Sequence, residues 1–237
     1  MTTKKAVCLI SGGLDSCVTA FLAKKKGYEL YALTVRYGQR HLKEITCAKK
    51  IAKAVGAKEH SIIDINLDQF GGSSLLKSSS QTIHHRSLKE IGKRIPSTYV
   101  PARNTIFLSL ALAYAEARNA DTIFIGVNAL DYSGYPDCRP DYLNVFQKLA
   151  TLATKCGVEG TSIRIEAPLL HDSKVTIIKK GIKLNVPFQY TWSCYQGDKK
   201  ACGRCDSCLL RLHGFAEAGV MDPLAYDSVP GWYKKKD

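Results

Sequence analysis

Ser11-Gly12-Gly13-Leu14-Asp15-Ser16 decides how this chain folds. Ahead of it runs Ala6-Val7-Cys8-Leu9-Ile10, a continuous apolar stretch with the length of a buried strand. Behind it Leu14, Val18, Phe21 and Leu22 recur at helical spacing, and Gly27 stops the pattern. The paired glycines between these elements let the backbone bend sharply and aim its amides inward. The helix that follows adds the partial positive charge of its N-terminus. Together they make a cradle for an anion of phosphate size. Gly-Gly alone would also serve as an ordinary strand-to-helix turn. The Walker pattern GxxxxGK[ST] is absent, so this is not an ordinary P-loop.

The alternation continues outward. Leu30 to Arg36 reads as a second strand, Lys43 to Val55 as a helix stopped by Gly56, and Ser61 to Ile65 as a third strand. Arg103 to Arg118 is a strongly apolar helix and Thr122 to Gly126 a fourth strand; Asp141 to Cys156, Ser173 to Leu184 and Ser207 to Ala218 read as further helices. This order predicts an α/β fold with a parallel, doubly wound sheet covered on both faces. Ligands of such sheets sit beyond the C-terminal ends of the strands, where Ser11, Tyr37 and Asn128 fall. Residues 66–100 break the rhythm with Gly71-Gly72-Ser73-Ser74 and Ser78-Ser79-Ser80, and predict a functional flap or a mobile linker. His84-His85 lies there without further metal ligands nearby and reads as exposed polar loop. Residues 1–190 are expected to form the sheet domain, and 191–237 a C-terminal segment packed on it.

The chain has nine cysteines, and four of them, Cys194, Cys202, Cys205 and Cys208, stand as C-x7-C-x2-C-x2-C. Four thiolates suit a closed, structural Zn2+ tetrahedron, and Gly203 eases the turn between ligands. An iron–sulfur cluster uses the same ligand set, and disulfides do not suit a reducing compartment. Cys8, Cys47 and Cys156 read as core packing on a strand and on apolar helix faces. Cys17, in the first helical turn, could be a stabilised thiolate or simple packing beneath the loop.

A formal net charge of +13 admits nucleic acid as a partner, or a basic surface that attracts nucleotides. The lysines are scattered rather than gathered in a groove, so nucleic acid is not expected. The longest apolar helix runs from Thr105 to Ala115, too short to span a bilayer, and no secretory leader is apparent. A cytoplasmic protein is expected.

Further strings join the loop: Tyr37-Gly38-Gln39-Arg40-His41, Val100-Pro101-Ala102-Arg103-Asn104, the run from Gly126 to Pro140, Thr191-Trp192-Ser193-Cys194-Tyr195 and Cys202-Gly203-Arg204-Cys205-Asp206-Ser207-Cys208. SGGxDS resembles the pyrophosphate loop of the N-type ATP pyrophosphatases. The whole set, from strand one to Pro223, resembles the 7-cyano-7-deazaguanine synthase family of queuosine precursor biosynthesis. Ala102 departs from it, since the family is expected to carry glycine there. The resemblance implies a Rossmann-like, adenine nucleotide alpha hydrolase-like sheet. It also implies a carbon–nitrogen ligase that uses ATP and Mg2+ to turn 7-carboxy-7-deazaguanine and ammonium into a nitrile, releasing AMP and diphosphate. No glutaminase signature is visible, so free ammonium is the expected nitrogen source. A homodimer is expected.

The resemblance assigns nucleotide binding to Ile10, Ser11, Gly12, Gly13, Leu14, Asp15, Ser16, Cys17 and Val18. Asp15 either holds magnesium or caps its helix. Arg103 and Arg139 would neutralise a carboxylate or phosphate, or else form surface salt bridges; Asn104 would cap its own helix. Asp131 and Asp137 would meet the paired donors of a guanine-like edge with Tyr132 or Tyr135 stacked on the ring, or else simply form turns. Two rivals remain at this point: a tRNA-modifying adenylase with the same loop, and a zinc-stabilised nucleic-acid module without catalysis.

Overall fold

A computed structural model of the chain describes residues 3–40, 42–83, 86–91, 93–128, 134–196 and 199–233. Five parallel strands form one sheet in the order β3-β2-β1-β4-β5. They are β1 Lys5–Leu9, β2 Glu29–Arg36, β3 Glu59–Asp64, β4 Thr122–Phe124 and β5 Arg164–Glu166. Val7 sits in register with Tyr31 on one side and Ile123 on the other. From Ala6 onward the central strand is therefore apolar, as a strand buried on both faces must be.

Alternate residues feed two cores. Ala6, Cys8, Leu30, Ala32 and Phe124 face α1 (Leu14–Lys25), α2 (Lys43–Ala54) and α6 (Lys174–Lys183). Val7, Leu9, Leu33 and Ile123 face α3 (Arg103–Ala117) and α4 (Pro140–Leu152). Each fully buried Leu, Ile or Phe among them stabilises the fold by about 1.5–3 kcal/mol. α1 is buried almost all round rather than on one stripe, because α6 covers the side away from the sheet.

Three differences from the sequence expectations stand out. β3 begins at Glu59, two residues early, where Arg118 holds the Glu59 carboxylate at 2.8 and 2.9 Å. That ion pair keeps the Glu59 carboxyl well below the usual range, at about 2. β5 is a strand the apolar pattern did not announce, since it carries one apolar residue at a sheet edge. The helix expected over 141–156 stops at Leu152. Thr154 then accepts from the Gly157 amide and caps a separate turn, α5 (Lys155–Val158), so Cys156 leaves the long helix and is only partly buried.

Residues 66–100 are not a linker where they are described. Leu67, Leu76 and Val100 are buried against Val35 and Tyr37 at the C-terminal end of β2. His84-His85 lies outside the described residues. The C-terminal segment turns through Phe188–Tyr190 and enters α7 (Asp206–Glu217), which packs on α6. Arg211, 2% exposed, sits at its centre. It gives two bonds to Asp222 at 2.6 and 2.9 Å and one to Thr191 Oγ1 at 2.7 Å. Arg86, from the segment over β2, donates to Asp206 through its backbone amide and its guanidinium.

Ala102 takes φ 51° and ψ 24°, the left-handed region, as the residue before α3. An L-residue there costs about 1–2 kcal/mol. Ala102→Gly should therefore raise stability by about 0.5–1 kcal/mol after the entropy of the added glycine is set against the relieved strain. The rise in Tm would be roughly 2 °C for a chain of this size. Differential scanning calorimetry checks this, and an unchanged or lowered Tm counts against it.

Candidate active site

β1 is the switch point of the sheet: the chain leaves it toward β2 on one side and returns to β4 on the other. The crevice beyond such a point is where open parallel sheets bind ligands. A cavity of about 270 Å³ opens there. Its floor is the loop Ser11, Gly13, Asp15 and Ser16, and its walls come from Tyr37 and Gln39 after β2, Arg103 and Asn104 of α3, and Trp192, Ser193 and Tyr195.

The loop is folded by its own hydroxyls. Ser16 Oγ accepts from the Ser11 amide at 3.2 Å and donates to Gly13 O at 3.1 Å, while Ser11 Oγ accepts from the Gly13 amide at 3.2 Å. Gly12 has φ +90°, and a Cβ there would collide with the backbone carbonyl of Glu44 in the first turn of α2. Gly126 is needed for a different reason: its Cβ would stand 2.9 Å from the backbone of Ser16, so β4 can end this close to α1 only with glycine. On the far side the Trp192 amide donates to Gly12 O at 2.8 Å, so the C-terminal segment closes the loop.

Asp15 is no helix cap; α1 has no side-chain cap at all. Its carboxylate accepts from Lys174 at 2.7 and 2.8 Å and from Asn128 Nδ2 at 3.1 Å. Cys17 is fully buried, and burial pushes its thiol up to about 12, so it packs beneath the loop as a neutral thiol.

Among the described residues Arg103 forms no surface salt bridge. Its guanidinium lies over the rings of Tyr37 and Phe107 and donates to Tyr37 OH at 3.3 Å, while its buried Nε has no hydrogen-bond partner. A buried, unpartnered guanidinium N–H at a cavity wall is a donor that an anion would satisfy. Asn104 does not cap α3 with its side chain. Instead the buried Asp137 accepts from the Asn104 amide at 2.8 Å and supplies that cap from the turn Pro136–Cys138. Asp137 does not line the cavity; Tyr135 and Cys138 beside it do. Arg139 is exposed and lies outside the lining. Asp131 and Tyr132 fall outside the described residues.

The four cysteines come together as the spacing predicts. Their sulfurs lie within 4.8 Å of one another and all four residues are buried, so the cluster can hold a metal ion. Cys202 Sγ and Cys208 Sγ are 3.9 Å apart. A tetrahedron with metal–sulfur bonds of about 2.3 Å has edges near 3.8 Å. The amides of Cys202, Arg204 and Cys205 donate to the Cys194 and Cys202 sulfurs, as an anionic thiolate site requires. Gly203, at φ +72°, passes so close to Ser228 O that any side chain would collide.

Sequence reasoning did not pick out Glu44, Gln39, Lys174 or Arg211 as site residues. Lys174 and Arg211 come from elements remote in sequence, so their contact with the loop and with the segment around Trp192 has no local signature. Glu44 had a visible position, one turn into the helix after Tyr37-Gly38-Gln39-Arg40-His41, and burial pushes its carboxyl up to about 7.

An open parallel sheet, with a glycine-built anion loop at its switch point and a four-thiol lobe folded over it, defines a nucleotide-binding α/β protein. The chain belongs to the family of queuosine biosynthesis protein QueC, whose profile matches residues 5–219. A 7-cyano-7-deazaguanine synthase of Trichodesmium erythraeum (strain IMS101) is 55% identical over 220 residues, covering 93% of this chain and 99% of that one. Its counterpart in Thermosynechococcus vestitus (strain NIES-2133 / IAM M-273 / BP-1) is 54% identical over 226 residues, 95% and 97% of the two chains. Among solved structures, NMN synthetase from Francisella tularensis superposes with a TM-score of 0.47 at 19% identity, covering 92% of this chain and 78% of that one, too distant a likeness to carry function.

Proposed function

We propose that this chain converts 7-carboxy-7-deazaguanine and ammonia into 7-cyano-7-deazaguanine, using ATP to activate first the acid and then the amide. One observation carries the reading. Arg103, whose Nε has no hydrogen-bond partner among the described residues, and the anion-ready Ser11–Ser16 loop line one cavity, which suits two anionic substrates brought together. A carboxylate is inert to ammonia until one oxygen becomes a leaving group. The loop amides and the Ser11 and Ser16 hydroxyls would hold the departing pyrophosphate in place of the bonds they make to one another. The α-phosphorus is then left open to the carboxylate, which Arg103 would orient. Ammonia displaces AMP to give the amide, and a second adenylation with loss of AMP gives the nitrile.

ATP arrives with Mg2+, and Asp15 is the loop carboxylate that would hold it. Zn2+ is the metal proposed for the four thiols, with a structural role. Asp137, with Asn104, is a positioning residue that fixes the start of α3 and so the root of Arg103. Asp131 stays a candidate for the guanine-like edge. The sheet domain 1–190 and the closing segment 191–237 remain the proposed division of the chain.

Among the described residues no helix is long and apolar enough to cross a membrane. Nine free cysteines support a reducing cytoplasm as the location. A homodimer belongs to the same reading. Val145, Leu149 and Leu152 expose an apolar stripe along α4 that a second copy would cover, and a monomer mass by light scattering would remove this part.

The experiment that tests the function is product analysis with carboxy-deazaguanine labelled by heavy oxygen in its carboxylate. About two AMP and two pyrophosphate should form per nitrile, with one label in each AMP, because each activation removes one oxygen as the leaving group. Without ammonium an adenylate should accumulate. ADP and phosphate as the main products, or unlabelled AMP, would refute adenylation.

A further inference from the structure

We propose that Glu44 holds the ammonium substrate as a cation, in a small side chamber that opens off the main cavity. The inference rests on the functional reading above and adds a residue to it. The chamber measures about 20 Å³ and shares Tyr37, Gln39, Glu44 and Tyr195 with the main cavity. A space of one water-sized sphere needs about 10–15 Å³. The chamber therefore suits a species the size of ammonium and excludes nucleotide or base.

Charge is the stronger argument. Among the described residues two carboxylates line the main cavity, Asp15 and Glu44. Asp15 is paired with Lys174. Glu44, among the described residues, has neither a cation within ion-pair distance nor a hydrogen-bond donor. Two guanidinium groups stand nearby, and neither is within ion-pair distance of it. Arg40, at the chamber wall, spends its guanidinium on the carbonyls of Leu76, Ser79 and Gln81. Arg103 is turned to Tyr37 OH. A desolvated acid without an ion-pair partner is ill placed beside a site built to gather phosphates and a carboxylate. A cationic co-substrate removes the contradiction.

Ammonium suits the place better than a divalent ion. Mg2+ demands near-octahedral oxygen ligation and is commonly held by carboxylates and substrate phosphates together. Ammonium needs a few acceptors around a small tetrahedral ion, and Glu44 with the Tyr37 hydroxyl on the same wall supplies them. The position also fits delivery. The carbonyl of Glu44 abuts Gly12 of the loop, so a cation on this side chain waits beside the cradle where the acid is activated.

The test compares wild type, Glu44→Gln and Glu44→Asp. Adenylation is followed without ammonium, as exchange of labelled pyrophosphate into ATP in the presence of carboxy-deazaguanine. Product formation is then followed against ammonium chloride, and separately against hydroxylamine, which is uncharged near neutral pH. Loss of a charged hydrogen-bond partner should raise the KM for ammonium by about tenfold or more in Glu44→Gln. Exchange and the KM for ATP should stay unchanged, Glu44→Asp should recover most of the loss, and the hydroxylamine reaction should be spared. An unchanged ammonium KM in Glu44→Gln, or equal losses with ammonium and hydroxylamine, overturns the inference while leaving the function standing. Loss of exchange in both variants also overturns it, since Glu44 would then serve the loop. A wild type that makes no nitrile overturns the functional reading and this inference with it.

Discussion

Cys205→Ser should leave the chain without its metal and without a stable fold. Cys205 is fully buried, and its neighbours in the cluster lie within 4.8 Å, so no water can take its place as a ligand without opening the lobe. A structural zinc contributes about 10 kcal/mol or more of folding free energy. Whole domains are stable by only about 5–15 kcal/mol. One lost ligand therefore removes most of what holds the C-terminal segment. Damage should spread beyond it, because Asp206, next in sequence, anchors Arg86 and the segment over β2. Elemental analysis should find about one zinc per wild-type chain, no iron absorbance, and a large loss of metal and of thermal stability in the variant. Wild type stripped of metal yet fully stable would sink the structural role.

Gly13→Val should abolish ATP turnover in a protein that still folds. Gly13 has φ −81° and ψ 167°, a conformation valine adopts without strain. A Cβ there meets only Ser11 Oγ at 3.2 Å and Trp192 O at 3.8 Å. The methyl groups would occupy the cradle mouth and deny the Gly13 amide to an anion. Loss of preorganised donors of this kind costs about 10²–10³ in kcat. Zinc content and circular dichroism should match wild type. Gly12 offers the contrast: with positive φ and the Glu44 carbonyl against it, Gly12→Ala should damage the fold itself. Unchanged turnover in Gly13→Val would show that ATP binds elsewhere.

What the sequence disclosed follows from where its information is local. β1, β2 and α1 to α3 were legible because apolar runs and stopping glycines mark them within a few residues. The four thiols were legible because three of them share one short turn. β5 was not, because at a sheet edge Arg164 and Glu166 satisfy themselves with Tyr28, Asp121 and Lys26 instead of an apolar pattern. Asp137 was read either at a ligand edge or as a turn former; it lies in a turn and serves the Asn104 amide, a partnership that only the approach of that turn to α3 creates. Glu44 needed the fold to acquire meaning. Its importance comes from having no ion-pair partner among the described residues of a basic chain, and such an absence leaves no mark on a sequence.

The hydrogen bond from the Trp192 amide to Gly12 O joins two stretches far apart in sequence. The glycine turn is built from residues close to one another, but its outer wall, the Lys174 ion pair and the thiol lobe all come from much further along. Domains form as units once enough chain is available. A nascent polypeptide that stops short of these residues would carry an unfinished nucleotide pocket, so competence for ATP belongs to the assembled fold and not to the loop alone.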